Sequence, residues 1–299
     1  MLVHPFEPAY LPGLRTLINL HLSAVVPGWS LPDDAVATHL EHSYGEYVTD
    51  PWVIERTTLL ATEGWRVLAA VHLLRYGESE EVGEHFRGAG EVGWLLSVPE
   101  RSDAAAVVLS EAREQLSSWN ISRELVGGGM LPVPVLVGVP DCWPHVASAL
   151  KAAGYRASTE QREAIYGGAL PGVSEPGDPP LPGLEIRRST GEFGVRFSAV
   201  AESAEIGRLE CSADLTEGGA LPAFGGWAEL EELWVLEESR NRGVGAWLVE
   251  HAVIWLRLAG CDRVVIAVAE EDEASGAGRF YSRFGWEVFA REVRSWESN

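Results

Sequence analysis

The chain has 299 residues, of which 46% are hydrophobic and 22% charged, a composition typical of globular proteins and a length that allows two modest domains. Its formal net charge is −21 at pH 7. Because nucleic acids are bound mainly by Lys and Arg on phosphates, we expect no nucleic-acid partner, whereas a cationic amine would be attracted.

Membrane and metal-binding classes are disfavoured by what the sequence lacks. The N-terminus has no basic stretch followed by an apolar one, and no run of about 18 apolar residues occurs, so we expect a cytoplasmic protein with no membrane partner. Cys142, Cys211 and Cys261 are widely spaced with no C-x-x-C pair, and the eight histidines do not cluster at metal spacings. We therefore predict unpaired thiols and no metal.

The first half of the chain shows strand and helix patterns in alternation. A short strand is expected up to Tyr10, and Pro27-Gly28 and Pro32 separate two helical stretches between Leu11 and Tyr47. The following predicted elements are a hairpin (58–62 and 65–76), a strand (90–98), a helix (104–119), an irregular strand (133–139), a helix (142–153, capped by Asp141) and a strand (163–166).

A segment rich in Pro and Gly, from Gly167 to Gly183, predicts no regular structure. We interpret residues 169–183 as an interdomain linker between domains at 1–168 and 184–299. The second domain is predicted to contain a strand (184–188), a hairpin pair (195–201 and 205–212), a Gly-rich loop (217–226), a strand ending at 236, a helix from 244, a buried strand (263–269), a helix carrying Phe280 and a final strand (287–296).

One stretch of this second half carries a distinctive motif. The apolar strand Leu233 to Leu236 leads through Arg240-Asn241-Arg242-Gly243-Val244-Gly245 into a helix whose apolar residues recur every 3.6 positions, and Gly260 is placed to end it. Glycines without Cβ atoms allow a ligand close to the backbone, and the free N–H groups of a helix N-terminus attract anions. The turn is therefore predicted to hold a pyrophosphate.

The chain around this turn resembles the GNAT superfamily of acyl-CoA-dependent N-acyltransferases. Such proteins have a Leu-x-Val strand before Arg-x-x-Gly-x-Gly, matched here by Leu233-Trp234-Val235, and later a Phe-Tyr-x-x-x-Gly-aromatic segment, matched by Phe280 to Trp286. The repeated order of elements in both halves extends the resemblance to the whole chain. It implies an α/β (α+β) fold of two tandem GNAT-like domains, each a mixed, centrally splayed sheet flanked by helices.

The two copies differ where acyl-CoA would bind. Where the second copy has its Arg-Gly turn, the first has Arg101-Ser102-Asp103-Ala104-Ala105-Ala106, which adds methyl groups and a negative charge. Placing Gly154 opposite Gly285 also puts Leu150 where the second copy has Tyr281. We expect one site per chain, in a second copy that departs from the family by having only Ser189 to Gly194 between its first two strands.

The resemblance implies acetyl-CoA as the cosubstrate and an amine of a small molecule or peptide as the acceptor. It assigns acyl-CoA binding to Leu233, Trp234, Val235 and the turn Arg240, Asn241, Arg242, Gly243, Val244 and Gly245. Tyr281 matches the family's general acid, and the alternative is a core aromatic beside Phe280 and Phe284. The general base stays open among Glu229, Glu231, Glu232 and water, with Glu229 placed where some members have a catalytic glutamate.

Two other classes of function remain compatible with these motifs. A non-catalytic CoA-binding or protein-interaction module would share the turn but lack an acceptor pocket. An aminoacyl-tRNA-dependent transferase can also carry paired GNAT folds, but the intact pyrophosphate turn and the negative charge weigh against it. The acceptor, the acyl length and the oligomeric state are not determined by the sequence, and an oligomer is possible.

Overall fold

The computed structural model describes residues 1–42 and 48–298 and divides the chain into two compact units. The first unit comprises residues 1–164 and 290–299, and the second comprises 165–289. These units differ from the predicted domains at 1–168 and 184–299, because the strands Arg162–Ala169 and Glu287–Val293 each begin in one unit and end in the other. Residues 169–183, predicted as a linker, belong to the second unit.

The first unit is built on a five-stranded sheet whose strands lie side by side in chain order, and the strands Arg66–Tyr76 and Ala89–Ser97 are almost wholly buried. Its helices are α1 (Leu11–Val25), α2 (Asp33–Glu41), α3 (Ser102–Ser118) and α4 (Pro144–Ala152). Its strands are β1 (Leu2–Pro5), β2 (Val53–Glu63), β3 (Arg66–Tyr76), β4 (Ala89–Ser97), β5 (Arg123–Val126), β6 (Val139–Pro140), β7 (Tyr155–Ala157) and the start of β8 (Arg162–Ala169). Both helices predicted between Leu11 and Tyr47 are present, while Tyr47 itself lies outside the described residues.

The second unit has a sheet in the order β14-β8-β13-β12-β11-β10-β9. Its strands are β9 (Glu185–Thr190), β10 (Val195–Ala201), β11 (Ala204–Ser212), β12 (Trp227–Val235), β13 (Arg263–Ala269) and most of β14 (Glu287–Val293). Its helices are α5 (Val244–Leu258), α6 (Glu270–Asp272) and α7 (Gly278–Ser282). The strand β15 (Trp296–Ser298) belongs to the first unit, where it pairs with β7.

Several predicted elements are shorter or differently capped in the structure. The expected strand at 133–139 is reduced to Val139–Pro140, in keeping with the prolines that interrupt the ladder. The N-cap of α4 is Trp143 and not Asp141, whose carboxylate instead accepts a hydrogen bond from the backbone N–H of Arg291 at 3.2 Å. The helix carrying Phe280 is only five residues long and follows a π-helical turn in which Gly276 has φ of 130°.

The connection between the first two strands differs between the two units. In the first unit α1 and α2 lie between β1 and β2, whereas in the second only residues 191–194 join β9 to β10. Residues 191–194 form a hairpin turn with no helix, and the predicted strand at 184–188 extends to Thr190. No helix among the described residues is long and apolar enough to cross a membrane.

Candidate functional site

The motif region folds as a strand, a turn and a helix. The inward residues of α5 are buried, including Val244, Trp247, Leu248 and Ala252. The apolar stripe, predicted to run from Val244 to Leu258, ends earlier, since Leu258 is 83% exposed. Gly260, with φ of 91°, follows the helix as its C′ residue, which confirms the predicted end of α5.

The turn before α5 has a backbone that strongly favours glycine. Asn241 and Gly243 have φ of 59° and 90°, both in the left-handed region. Asparagine tolerates this conformation, and glycine adopts it without a steric cost. The first N–H groups of α5 have no acceptor within the helix, so they point from its N-terminus together with the positive end of the helix dipole. This geometry suits a pyrophosphate.

The two arginines of the turn have different surroundings. The Arg240 Nε–H donates to the carbonyl of Val235 at 2.9 Å, which folds its side chain back over the end of β12. Arg242 is exposed, and no carboxylate within the described residues forms an ion pair with it. Arg240 therefore stabilises the end of β12, and Arg242 remains available for an anion.

The strands β12 and β13 separate next to this turn. They pair in parallel only from Trp227 with Arg263 to Glu229 with Val265. On its other edge β12 has a bulge at Glu231, because Leu230 faces Cys211 and Glu232 faces Glu210. Within the described residues no pairing joins β12 to β13 beyond Glu229, so the sheet opens there.

The backbone of β12 offers hydrogen-bond donors to this opening. The Leu236 N–H donates to the Ile206 carbonyl at 2.9 Å, which places Leu236 in the hydrogen-bonded set of the β11–β12 ladder. Alternation along an antiparallel ladder then directs the N–H groups of Leu233 and Val235 away from β11, toward β13. By the same alternation the Trp234 N–H is directed toward β11, and the Trp234 ring contacts the Arg208 guanidinium, 5.4 Å from the ring centre. Of the predicted strand residues, Leu233 and Val235 therefore face the gap.

Glu229 and Glu231 form a coupled pair of carboxyl groups on β12. Burial, followed by the charge of Glu231, raises the pKa of Glu229 well above its usual value. Burial raises the pKa of the Glu231 carboxyl as well, but Glu231 is exposed and Glu229 is half-buried, so Glu229 is the more readily protonated of the two. Glu232 is not part of this pair, since its carboxylate accepts from the Arg208 guanidinium at 2.7 and 2.9 Å.

Tyr281 lies on α7, 5% exposed, and burial raises the pKa of its hydroxyl. Its ring packs against three aromatic rings, those of Tyr166, Phe280 and Trp286, at centroid distances of 5.2 to 5.9 Å. The neighbouring Phe280 ring lies 3.5 Å from the position that a Cβ on Gly245 would take, so α7 lies beside the first turn of α5. Tyr281 therefore combines a protonated hydroxyl with a core-like environment.

Sequence reasoning missed one tyrosine in this region. The Tyr166 hydroxyl, on β8, donates to Glu273 Oε1 at 2.5 Å, and a Cβ on Gly278 would come within 2.6 Å of that hydroxyl. Gly278 begins α7, so its lack of a side chain makes room for Tyr166. The sequence shows Tyr166 at the end of a predicted strand just before the Pro/Gly-rich segment. It does not show that this strand lies beside β13, so Tyr166 could not be placed near the site.

Comparison with known proteins agrees with this geometry. Residues 192–286 match the model of the acetyltransferase (GNAT) family. A tandem GNAT protein from the clavulanic acid biosynthesis pathway, solved without AcCoA, is 15% identical, with a TM-score of 0.63 over 99% of this chain and 97% of that one. The chain has a tandem GNAT fold.

A second similar structure spans the same length. A GCN5-related N-acetyltransferase from Sphaerobacter thermophilus is 14% identical, with a TM-score of 0.64 over 99% of this chain and 95% of that one. A search of curated protein sequences found no match. The prediction of a tandem GNAT fold is confirmed, and the family match over the second half alone is consistent with a degenerate first copy.

In the first GNAT copy the gap corresponding to that of β12 and β13 is filled by the chain itself. After β5, the N–H groups of Gly127 and Gly128 donate to the Val92 carbonyl at 3.2 and 3.1 Å. The Leu95 N–H in turn donates to the Gly128 carbonyl at 3.1 Å. The Leu95 N–H, which could otherwise face a ligand, is thus already bonded within the chain. The glycine run at 127–129 was visible in the sequence and is the feature that permits this close packing.

The arginine of the first copy is also neutralised. The Arg101 guanidinium donates to the Glu63 carboxylate at 2.7 and 3.1 Å and to that of Asp103 at 2.9 Å. Two carboxylates on one guanidinium leave no net positive charge for an anion. Within the part of the chain that the structure describes, only the second copy combines an open gap between strands with an available basic turn.

Proposed function

We propose that residues 165–289 bind an acyl-CoA, with acetyl-CoA as the first choice, and transfer its acyl group to an amine. The observation that carries this proposal is the opening between β12 and β13, which directs the N–H groups of Leu233 and Val235 into a gap beside the glycine turn of α5. A pantetheine arm fits such a gap, and the pyrophosphate fits the turn. The family match over residues 192–286 supports the same activity.

The chemistry requires two proton transfers, and the site offers a group for each. An alkyl ammonium has a pKa near 10 and must lose a proton before it can attack. Glu229 accepts this proton, directly or through water, in the fraction of molecules in which its carboxyl is ionised, and passes it to solvent. Its raised pKa makes the carboxylate a stronger base than an ordinary glutamate.

The thioester then reacts with the neutral amine. The amine nitrogen bonds to the carbonyl carbon, and backbone N–H groups of β12 stabilise the tetrahedral oxyanion. As the C–S bond breaks, the Tyr281 hydroxyl gives its proton to the sulfur and regains one from the new amide nitrogen. Burial keeps Tyr281 protonated at neutral pH, as a general acid requires.

The acceptor is proposed to be a small molecule or peptide with a cationic amine. The chain's net charge of −21 favours cations and disfavours nucleic acids. The acidic side chains on β12 would attract an ammonium group locally.

The proposal is tested by a screen of amines with acetyl-CoA, read by thiol release, together with calorimetry of CoA binding. We expect turnover with at least one cationic amine and one CoA per chain, because in the first copy Arg101 is paired with two carboxylates and the Leu95 N–H at the corresponding gap is bonded to Gly128. Two equivalent sites per chain, or no binding, would contradict the proposal. A stoichiometry of one without turnover of any amine would favour a non-catalytic CoA-binding module.

Tyr281 gives a separate test of catalysis. If its hydroxyl protonates the thiolate, Tyr281→Phe should lower kcat by about a hundredfold with little change in acetyl-CoA affinity, since the lost interaction belongs to the transition state. The substitution removes only one oxygen from the aromatic cluster, so the thermal midpoint should change little. Turnover at the wild-type rate would assign Tyr281 to the core alone.

A further inference from the structure

The segment predicted as a linker, residues 169–183, lies along α5, and we name it the strap. At its start the Arg257 side chain donates to the carbonyls of Leu170 and Pro171 at 2.6 and 3.0 Å. The Leu170 side chain is buried, and its N–H donates to the Asp262 carbonyl at 2.8 Å. The strap is therefore attached to the C-terminal end of α5, although it contains no helix or strand.

A second attachment lies in the middle of α5. The Trp247 Nε1–H donates to the Gly177 carbonyl at 3.0 Å, and the Gly177 N–H donates to the Glu250 carboxylate at 3.0 Å. Trp247 and Glu250 are three positions apart and so lie on one side of the helix. They hold the backbone of Gly177 through both its donor and its acceptor, which fixes the position of the residues that follow.

The strap then reaches the turn of the proposed acyl-CoA site. Pro180 Cβ lies 3.0 Å from the position that a Cβ on Gly243 would take. Gly243 is the residue before α5, so Pro180 contacts the same turn that would hold the pyrophosphate. Among the described residues no hydrogen bond runs from the backbone N–H groups of this turn to the strap. The strap borders the anion site and does not occupy its donors.

We propose that Pro179 and Pro180 form an apolar wall that contacts the adenosine part of a bound acyl-CoA. This inference rests on the proposed function, which places the pantetheine in the gap at Leu233 and Val235 and the pyrophosphate at the turn. The remaining part of the ligand must extend beyond the turn, and Pro180 is the strap residue that borders the turn at Gly243. Proline has a fixed φ and no backbone N–H, so the pair forms a rigid surface that packs on a ring without competing for phosphate oxygens.

The test compares ligands that contain and lack adenosine. In Pro180→Ala we expect CoA and ADP to bind about tenfold more weakly, because a proline ring's contact area is lost. Binding of 4′-phosphopantetheine, which has no adenosine, should be unchanged. Pro176→Ala is the matched control, since Pro176 is an exposed proline of the same strap, and it should bind all three ligands as the wild type does.

A second variant tests the anchoring of the strap without altering the prolines. Glu250→Ala removes the acceptor for the Gly177 N–H, and it should weaken CoA and ADP severalfold while leaving 4′-phosphopantetheine unaffected. Tighter CoA binding in either variant would show that the strap obstructs the site and would overturn the proposal. Equal losses for all three ligands, or no loss for CoA, would also overturn it. Failure of the wild type to bind CoA would instead reject the proposed function itself.

Discussion

Replacement of Gly243 by valine is expected to abolish CoA binding. A residue with a side chain is strained at φ of 90°, at a cost of about 1–2 kcal/mol, and a β-branched one fits least well. Its Cβ would also lie 3.0 Å from Pro180, so the turn and the strap could not keep their positions. We expect at least a hundredfold loss of affinity in calorimetry.

Gly260→Val is the matched control for this substitution. Gly260 has φ of 91° at the opposite end of α5, with no atom within 4 Å of the position that a Cβ would take, so the backbone strain is comparable. It should lower the thermal midpoint by a similar amount while CoA binding persists. Equal loss of binding in both variants would mean that the effect comes from destabilising α5, and normal binding in Gly243→Val would remove the turn from the site.

Glu229→Gln is expected to lower kcat by about a hundredfold or more while acetyl-CoA affinity is retained, since a general base acts on the amine and not on the cosubstrate. Glu232→Gln is the control, because the Glu232 carboxylate is already paired with Arg208, and its turnover should remain near that of the wild type. Similar rates in Glu229→Gln and the wild type would leave water as the base.

The pH dependence of kcat/KM tests whether Glu229 acts as the base. A base is active when deprotonated, so activity should rise with pH through the pKa of Glu229, which lies well above its usual value. Glu231→Gln removes the neighbouring charge that raises this pKa, so the acidic limb should move to lower pH. A limb that stays in place would show that the profile belongs to another group.

Local sequence patterns predicted the glycine turn, α5 and β13 well, because the conformation of each depends on residues close in sequence. The 3.6-residue period of α5 and the glycines at 243 and 260 each specify a conformation without reference to distant residues. The run of Val and Ile at 263–269 likewise predicts a buried strand, and β13 has the same bounds.

The remaining features depend on contacts between distant parts of the chain. Alternation places Glu229 and Glu231 on one face, but it could not predict the bulge at Glu231 or the pairing of Glu232 with Arg208, which comes from another strand. Prolines and glycines correctly predicted that the strap lacks regular structure, but they carry no information about its packing. The attachment of Gly177 depends on Trp247 and Glu250, which lie 70 and 73 positions away.

The C-terminal segment, residues 290–299, belongs to the first unit, and this has a consequence for biosynthesis. In the first unit β7 pairs with β15, where Ala157 faces Trp296, and Pro140 of β6 faces Glu292 of β14. Translation delivers the N-terminal part of a chain first, and domains commonly begin to fold in that order. Here the ribosome must release residues 290–298 before the first unit can complete its pairing. The N-terminal unit is thus begun first and finished last, and a stop codon at position 290 would damage the half of the protein that lies farthest from it in sequence.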